Sequence, residues 1–333
     1  MAGTVADRAW KISTPESIEA DLAALWRELA GGGVRIARAV MSNLIVFRGR
    51  AAPPGADVAS IAADLPLDEV AARHPSRMIV IEHCDDKTAG APFAAAVGIV
   101  TFGPPQARYG IEQIVIRSAC PDASLLSILR RFLRGDLPTT VWCADDVSEQ
   151  PPPEPLLEVV RQLLYDSRRW RDVRRGAAAL ASIAGRRGVD VADMNWRRLV
   201  PLQRALVDTR GPLGGPLWRE TEVRVAHAPG EEALAWLCVG WLRSEGLTSA
   251  SVVSSESDRR GASRSGERQP LLTLTAGDLT ARLTDRTVDI VCASAPPLTV
   301  GIRVEAEADA VAAELRTLSH DAALVAALQA LHR

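Results

Sequence analysis

The chain has 333 residues, 47% of them hydrophobic and 24% charged, with a formal net charge of -2. This length predicts more than one domain, and the composition is that of a globular protein. The small net charge excludes a global electrostatic attraction to nucleic acid or membranes, and no run approaches the ~20 apolar residues of a membrane span. Residues 1–10 also lack the apolar stretch of a secretory signal, so we expect a cytoplasmic protein.

The N-terminal part alternates helical and strand-like patterns. Apolar residues at helical spacing predict a helix over residues 14–30, which ends at three glycines. We then predict strands over 43–47, 77–81, 94–102, 112–116 and 137–142, and helices over 67–73 and 122–134. Helices between strands favour a parallel or mixed sheet, in which the middle strands can still pair antiparallel.

A proline-rich stretch at residues 150–155 breaks both helices and strands and marks a boundary. Beyond it, apolar patterns predict helices over 156–165, 177–183 and 196–207. The segment from 151 to 212 is therefore expected to be wholly helical.

A second mixed region follows. We predict strands over 221–227, 250–254, 271–275, 279–283, 288–292 and 298–304, and a helix over 231–243. The closing helix, 305–331, either continues or breaks near Ser319 and His320. Residues 255–269 contain one apolar residue, Ala262, and should form an exposed, mobile loop. Hairpin and parallel pairings of the late strands both remain open.

These patterns predict an α/β protein, with α+β as the alternative. It has two mixed-sheet domains with packed helices, joined by a helical middle segment. The expected division is an N-terminal domain at 1–150, a helical connecting segment at 151–212 and a C-terminal domain at 213–333.

No catalytic motif is present: the sequence has no GxxxxGK[ST], no GxGxxG after a strand and no GxSxG. The five cysteines are odd in number and form no CxxC pair, which argues against a disulfide framework or a zinc site. They are Cys84, Cys120, Cys143, Cys238 and Cys292. His83, Cys84 and two aspartates crowd together after a strand, but no second cluster completes a ligand set, which favours a turn. We expect no catalytic residues, no cofactor and no metal.

Arginines and tryptophans are the more informative residues. Arginines cluster at residues 168–175 and at Arg197, Arg198 and Arg204, and Trp170 and Trp196 lie beside them. Trp and Arg dominate the energetics of protein interfaces, so these clusters are candidates for a docking surface, while packing in the core is the first expectation for each tryptophan. A solvated helix face and a phosphate or nucleic-acid contact are the alternatives.

Seven segments, taken in order, resemble those of a known family. They are residues 43–46 (NLIV), 73–80 (RHPSRMIV), 112–114 (EQI), 136–142 (DLPTTVW), 166–168 (DSR), 193–201 (DMNWRRLVP) and 234–242 (LAWLCVGWL). In this order they resemble OpcA, the family of glucose-6-phosphate dehydrogenase assembly proteins. The chain departs from that pattern at Ser76, where cysteine is frequent, and at Cys143 and Leu202, where tryptophan is usual.

The resemblance implies a non-catalytic protein that binds glucose-6-phosphate dehydrogenase, promotes its assembly and activates it. That role would support the oxidative pentose phosphate pathway and the NADPH supply. The partner-binding residues implied are Asp136, Pro138, Trp142, Asp166, Arg168, Trp170, Asn195, Trp196 and Arg197.

Two other functions stay open. The first is a sugar-phosphate-binding protein or unrecognised enzyme, with His74 and Arg77 as possible ligand-binding residues and His83 nearby. The second is a nucleic-acid-binding regulator that uses the arginines of residues 168–175, whose binding would fall steeply with salt.

Overall fold

The computed structural model describes residues 10–31, 35–49, 57–83, 93–104, 106–210, 221–253 and 269–332. Within these ranges the chain forms fifteen strands, in two mixed sheets, and nine α-helices. The predicted α/β class is confirmed. None of the helices in the described ranges combines the length and apolarity that crossing a bilayer requires.

Nine strands form the first sheet, and its central part is doubly wound. The strands are β1 Lys11–Ser13, β2 Ile36–Arg38, β3 Ser42–Arg48, β4 Ser76–His83, β5 Phe93–Phe102, β6 Arg108–Ser118, β7 Thr139–Cys143, β8 Gln162–Tyr165 and β9 Asp190–Asp193. Their order is β1-β5-β6-β4-β3-β7-β8-β9, and β2 pairs with β6. The six neighbouring strands β6, β4, β3, β7, β8 and β9 are parallel to one another. At the edge beside β6, β5 pairs antiparallel with β6, and β1 pairs antiparallel with β5. If these six parallel strands are numbered from one to six along the chain, their order across the sheet is 3-2-1-4-5-6, which is the arrangement of dinucleotide-binding folds.

The central strands are buried on both faces, which explains their nearly continuous apolar sequences. In β3, Ile45 belongs to one core and Leu44 and Val46 to the other. In β4, Ile79 and Met78 divide in the same way. The two faces are covered by helices α1 Ile18–Gly31, α2 Leu67–Arg73, α3 Asp122–Arg130, α4 Glu154–Leu157, α5 Val173–Ala184 and α6 Met194–Arg210. Of these, α2 lies on the second face.

The second sheet is largely antiparallel and is covered on one face. Its strands are β10 Val223–His227, β11 Ser251–Val253, β12 Leu272–Ala276, β13 Leu279–Leu283, β14 Thr287–Cys292 and β15 Ala295–Gly301, in the order β11-β10-β12-β13-β14-β15. The β10–β11 pair is parallel and the others are antiparallel. Buried and less buried residues alternate along β12 and β13, as expected for a sheet with one free face.

Three more helices complete the described chain: α7 Glu232–Ser244, α8 Glu307–Thr317 and α9 Ala322–His332. The last two pack in different places. Helix α8 buries Val311 and Leu315 in the second core of the first sheet, beside α2. Helix α9 packs on α5 and α7. Leu318, with φ of 42°, makes the left-handed turn that separates them.

The prediction of a wholly helical segment at 151–212 is wrong. Residues 156–165 form the end of α4 and strand β8, and strand β9 was missed altogether. Both strands are short buried members of a parallel sheet, and apolar periodicity alone does not distinguish such runs from a buried helix. These strands continue the first sheet beyond residue 150, while the predicted domain boundaries stay a prediction.

Three smaller points complete the comparison. Late strands β12 to β15 pair as antiparallel hairpins, which decides the alternative left open. The closing helix is broken, at residues 318–321. Most of the loop expected at 255–269 lies outside the described residues.

Candidate functional site

Five of the seven family-like segments fall into two groups at opposite ends of the first sheet, whereas residues 112–114 lie within β6 and residues 234–242 lie on α7. Asn43, Arg77 and the Asp136–Pro138 turn lie at the amino ends of β3, β4 and β7. Asp166 follows β8 and Asp193 ends β9, so both lie at the carboxyl ends. The nine predicted partner-binding residues are therefore not brought together on one surface.

At the amino end, Asn43 holds the turn that precedes β7. Its Nδ2 donates to the Arg134 carbonyl at 3.0 Å and to Thr139 Oγ1 at 3.1 Å, and its Oδ1 accepts from Arg134 N at 2.9 Å. The backbone N–H of Asn43 donates to Pro138 O at 2.9 Å. This leaves Asp136 exposed and Pro138 half-buried at the tip of a fixed turn.

Both predicted ligand-binding residues are interior. Arg77 is 2% exposed and forms ion pairs with Glu112 and Glu19. Burial lowers the pKa of Arg77, against the effect of the two carboxylates. His74 is buried, its Nε2 lies 3.2 Å from Ser42 Oγ, and burial lowers its pKa. Neither side chain is placed to receive a ligand from solvent.

At the carboxyl end, Asp193 joins the two motif segments. Its Oδ1 accepts backbone N–H groups from Ser167 at 3.1 Å and from Asn195 at 2.8 Å, while Asn195 Nδ2 donates to Ser167 Oγ at 3.0 Å. Burial, together with the neighbouring charge of Asp166, raises the pKa of Asp193 to about 7. Arg168 donates to both carboxylate oxygens of Asp166, and this contact raises the pKa of Arg168.

Two arginines of the 193–201 segment bind acidic residues from the last third of the chain. Arg197 donates to Glu305 at 2.7 and 2.8 Å and to Glu314 at 2.6 Å, and these bonds raise its pKa. Arg198 donates to Glu231 at 2.7 and 2.8 Å. The first sheet is thereby tied to α8 and to the start of α7.

The three predicted interface tryptophans are buried within the chain. Trp142 is 0% exposed, Trp196 is 3% and Trp170 is 8%. Trp196 Nε1 donates to Asp321 Oδ2 at 2.9 Å, and Trp170 stacks on Tyr165 with ring centroids 5.8 Å apart. Burial leaves little of these rings for a partner to contact in this conformation.

Several exposed cations lie at or just before the start of α5. Arg168, Arg171, Arg174 and Arg175 are exposed and together form what we call the arginine surface. Arg171 pairs with Glu149 at 3.3 Å. Arg174 and Arg175 pair with no carboxylate in the described part of the chain.

The strand order implies a dinucleotide crevice between β3 and β7, so we tested whether the residues there fit one. Arg48, the last residue of β3, donates to Asp64 at 2.5 Å and to Asp145 at 3.4 Å. A Cβ on Gly49 would lie 2.5 Å from Gln150 Oε1, so the Gln150 side chain occupies the space beside that backbone. A pyrophosphate needs this close backbone approach. Among the described residues, which exclude 50–56 after β3, those beside the crevice do not fit a dinucleotide.

Metal-binding chemistry has no support among the described residues, where no group of three or more His, Cys, Asp or Glu side chains converges. His83 Nε2 lies 2.7 Å from Asp122 Oδ1, and Cys84 falls outside the described residues. Cys120, Cys143, Cys238 and Cys292 are free thiols, and burial raises the pKa of Cys238 to about 12.

Sequence reasoning missed the acidic partners at the carboxyl end. Glu305 and Glu314 lie more than a hundred residues from Arg197 in the chain. The alternating acids of residues 305–309 were a visible signal of a charged helix start, but no local pattern indicates which arginines they meet.

Two family models match the chain, and they share the description of a glucose-6-phosphate dehydrogenase subunit. The model of its N-terminal domain covers residues 67–182, and the model of its C-terminal domain covers residues 189–328. The chain belongs to the OpcA family. The resemblance to that family is thereby confirmed, and the two OpcA models together cover strands β4 to β15.

Solved structures resemble the OpcA-family chain only distantly. Biliverdin reductase from Synechocystis sp. is 12% identical with a TM-score of 0.40, covering 88% of this chain and 97% of that one. An oxidoreductase domain protein from Kribbella flavida is 12% identical with a TM-score of 0.41, covering 88% and 95%. No curated protein matches the chain.

Proposed function

We propose that this chain is a non-catalytic assembly factor that binds glucose-6-phosphate dehydrogenase and activates it. The observation that carries the proposal is the match of both OpcA domain models, which together extend from residue 67 to 328. In that role the protein acts in the cytoplasm and supports the oxidative pentose phosphate pathway and the NADPH supply.

An activator must bind the active state of its partner better than the inactive state, because only a difference in affinity shifts a population. A shift from almost fully inactive to almost fully active needs about 5 kcal/mol of differential binding. Several contacts of moderate strength, concentrated on one surface, are enough to supply that energy.

The exposed arginine surface is the best-supported place for these contacts. Arg174 and Arg175 offer bidentate donors that no described carboxylate occupies. Arg168 is exposed in the same stretch of chain, so one member of the predicted partner-binding set stays in the proposed surface, whereas Trp142, Trp170 and Trp196 are buried.

The first experiment measures the activity of the same organism's dehydrogenase with and without the chain, with size-exclusion chromatography of the mixture. We expect co-elution and a several-fold rise in activity. Absence of both contradicts the proposal. Calorimetry of the chain with glucose 6-phosphate and NADP tests the sugar-phosphate hypothesis in the same samples.

A charge reversal then tests the surface. The double variant Arg174→Glu/Arg175→Glu places acids in the first turn of α5, where the helix dipole favours them, so the fold should persist. We expect the concentration for half-maximal activation to rise about tenfold or more. Arg27→Glu, an exposed change on α1, is the matched control and should activate normally.

A further inference from the structure

An exposed apolar pair lies at the amino end of the first sheet, where the chain enters β3. Val40 is 42% exposed and Met41 is 58% exposed. Among the described residues, they are the one pair of exposed large hydrophobic side chains that are neighbours in sequence. Just before the pair, the N–H of Ala39 donates to Gly110 O at 3.2 Å. The N–H of Met41 donates to Pro75 O at 2.8 Å, so hydrogen bonds to the sheet hold the backbone that presents the pair.

Two arginines flank this pair, and both are anchored to the sheet. Arg38 comes just before it, and its guanidinium carbon lies 4.7 Å from the ring centroid of Trp26. That ring packs directly on β6, since a Cβ on Gly110 would lie 2.7 Å from Trp26 Cη2. The backbone N–H and carbonyl of Arg134 both bond to the side chain of Asn43, just beyond the pair. A surface that is ordered in advance loses less entropy when a partner binds.

The guanidinium groups of Arg38 and Arg134 keep their hydrogen-bond donors available. They lie 3.7 and 3.6 Å from Glu112, and Arg134 also lies 3.9 Å from Glu19. These distances exceed the limit of about 3.2 Å for a good N–H···O bond. Arg77 is the close partner of both carboxylates. Within the described chain the two exposed guanidiniums thus donate no hydrogen bond, and each can offer paired donors to another carboxylate.

The charge at this end of the sheet is positive. Three guanidiniums meet two carboxylates around Glu112. Asp136 adds a negative charge on the exposed turn before β7, and the exposed Arg131 adds a positive one just after α3. Complementary interfaces place opposite charges together, and methionine and arginine are enriched at interfaces. The partner that fits therefore carries a carboxylate beside an apolar side chain.

We propose that Arg38, Val40, Met41 and Arg134 form an amino-end surface that binds a segment of glucose-6-phosphate dehydrogenase with acidic and apolar side chains. This inference rests on the proposed function and adds a second contact to it. The arginine surface follows β8 at the carboxyl ends of the strands, so the two surfaces lie at opposite ends of the first sheet.

The test is calorimetric titration of the full chain with the same organism's dehydrogenase. Met41→Asp removes the apolar side chain and places a carboxylate where the acidic segment should approach. We expect the dissociation constant to rise about tenfold or more, the scale of one important interface residue. Met41→Lys changes the same side chain but adds the opposite charge, which attracts an acidic segment. Its dissociation constant should rise by about twofold at most.

Arg134→Met tests the cationic side of the surface. It should weaken binding about tenfold, the value of one hydrogen bond to a charged group. Binding should also depend less on salt, because one charge pair with the partner is lost. Val304→Asp makes the same change as Met41→Asp at a side chain that is 60% exposed before α8, and should bind as the parent does. Thermal unfolding of each variant alone shows whether it is folded.

The outcomes separate this proposal from the proposed function. Parent-like binding by Met41→Asp overturns the amino-end surface, and equal weakening by Met41→Asp and Met41→Lys overturns the acidic character of the partner segment. If Met41→Asp binds as the parent does while Arg174→Glu/Arg175→Glu loses binding, the proposed function stands without the second contact. If the parent chain does not bind the dehydrogenase, both proposals fail.

Discussion

At the scale of single residues, Asp193 is a buried carboxyl group that both fixes the backbone and has a raised pKa. Its Oδ1 fixes the turn after β8 and the start of α6, while burial disfavours its charge. The groups near it are Asp166 and Arg168 after β8 and Tyr165 on β8. Asp321, Glu314 and Arg197 line the same small cavity as Asp193, between β9, α6 and the α8–α9 connection. A carboxyl group placed in this way favours its protonated form.

We predict that Asp193 makes stability fall as pH rises from about 4 to about 7. The folded-state pKa of about 7 lies above the unfolded value of about 3.9, so the folded chain binds the proton more tightly. The stabilisation by Asp193 is fully present below the pKa of Asp193 in the unfolded chain. It is lost as the pH rises through the pKa of Asp193 in the folded chain. Between the two pKa values the loss is ~1.4 kcal/mol for each step of one in pH. Urea unfolding at pH 5 and pH 8 measures it.

The matched variant is Asp193→Asn, which cannot titrate. Its stability relative to the parent should rise between pH 5 and pH 8. If the free energy of unfolding changed with pH in the same way for both proteins, Asp193 would have an ordinary pKa in the folded state.

Arg77 yields a second prediction at this scale. Its replacement by Met leaves the Glu112 carboxylate buried without its main cation, which should cost about 3–5 kcal/mol in the free energy of unfolding. Arg134→Met removes a half-exposed cation from the same carboxylates and should cost under about 1 kcal/mol. Equal losses in urea unfolding would contradict the assignment of Arg77 as the buried partner.

At the scale of elements, sequence patterns predicted those with strong local signals. The predicted helix 67–73 and strand 279–283 coincide with α2 and β13. Strands β8 and β9 were missed because four residues in a doubly covered sheet carry neither alternation nor helical period. The closing helix is interrupted at Leu318, which adopts a left-handed conformation. No local sequence pattern predicts that conformation for a leucine.

The motifs that contain the site residues could be predicted from the sequence, but which of these residues share a surface could not. The segments around Asp166 and Asn195 identified the family and meet at one end of the sheet. The burial of Trp142 and Trp196 depends on helices distant in sequence, which no local pattern reveals.

Gly240 allows a test of helix packing. A Cβ at this position would lie 2.6 Å from the Ala327 carbonyl oxygen and 2.8 Å from Leu331 Cγ, so α7 and α9 meet over a glycine. We predict that Gly240→Ala destabilises by about 1–3 kcal/mol, although alanine is the better helix former. Gly31→Ala in α1 meets nothing within 4 Å and should be neutral or stabilising. Thermal unfolding compares them, and an unchanged midpoint for Gly240→Ala would refute the close contact.

At the scale of the whole molecule, paired charges tie α8 to the helices and turns of the first sheet. Arg73 pairs with Asp309 at 2.5 Å, and Arg169 with Glu307 at 2.9 Å. Arg197 joins Glu305 and Glu314 on either side. Each of these arginines lies in a helix or turn of the first sheet. Each acidic partner lies in α8 or, for Glu305, two residues before α8 begins. Helix α8 is therefore held by paired charges along its length as well as by its apolar face.

We predict that Arg197→Met loosens α8 without unfolding the chain. The pairs are partly exposed, so the loss should be about 1–2 kcal/mol. Hydrogen exchange should quicken across residues 307–317 and stay unchanged in the central strands β3 and β4. Arg224→Met breaks an exposed pair with Glu222 and serves as the control. Parent-like exchange in α8 would show that its apolar face alone holds it.

The placement of α8 also affects how the chain folds during synthesis. Domains generally fold as units, the N-terminal one first, while translation continues. Here the second face of the first sheet is finished by Val311 and Leu315, which are translated after every strand of both sheets. A nascent chain that has completed β9 still exposes part of that apolar face on the ribosome. The first sheet therefore reaches its native cover only after the described strands of both sheets have been translated, and until then a chaperone that shields apolar surface can bind this face.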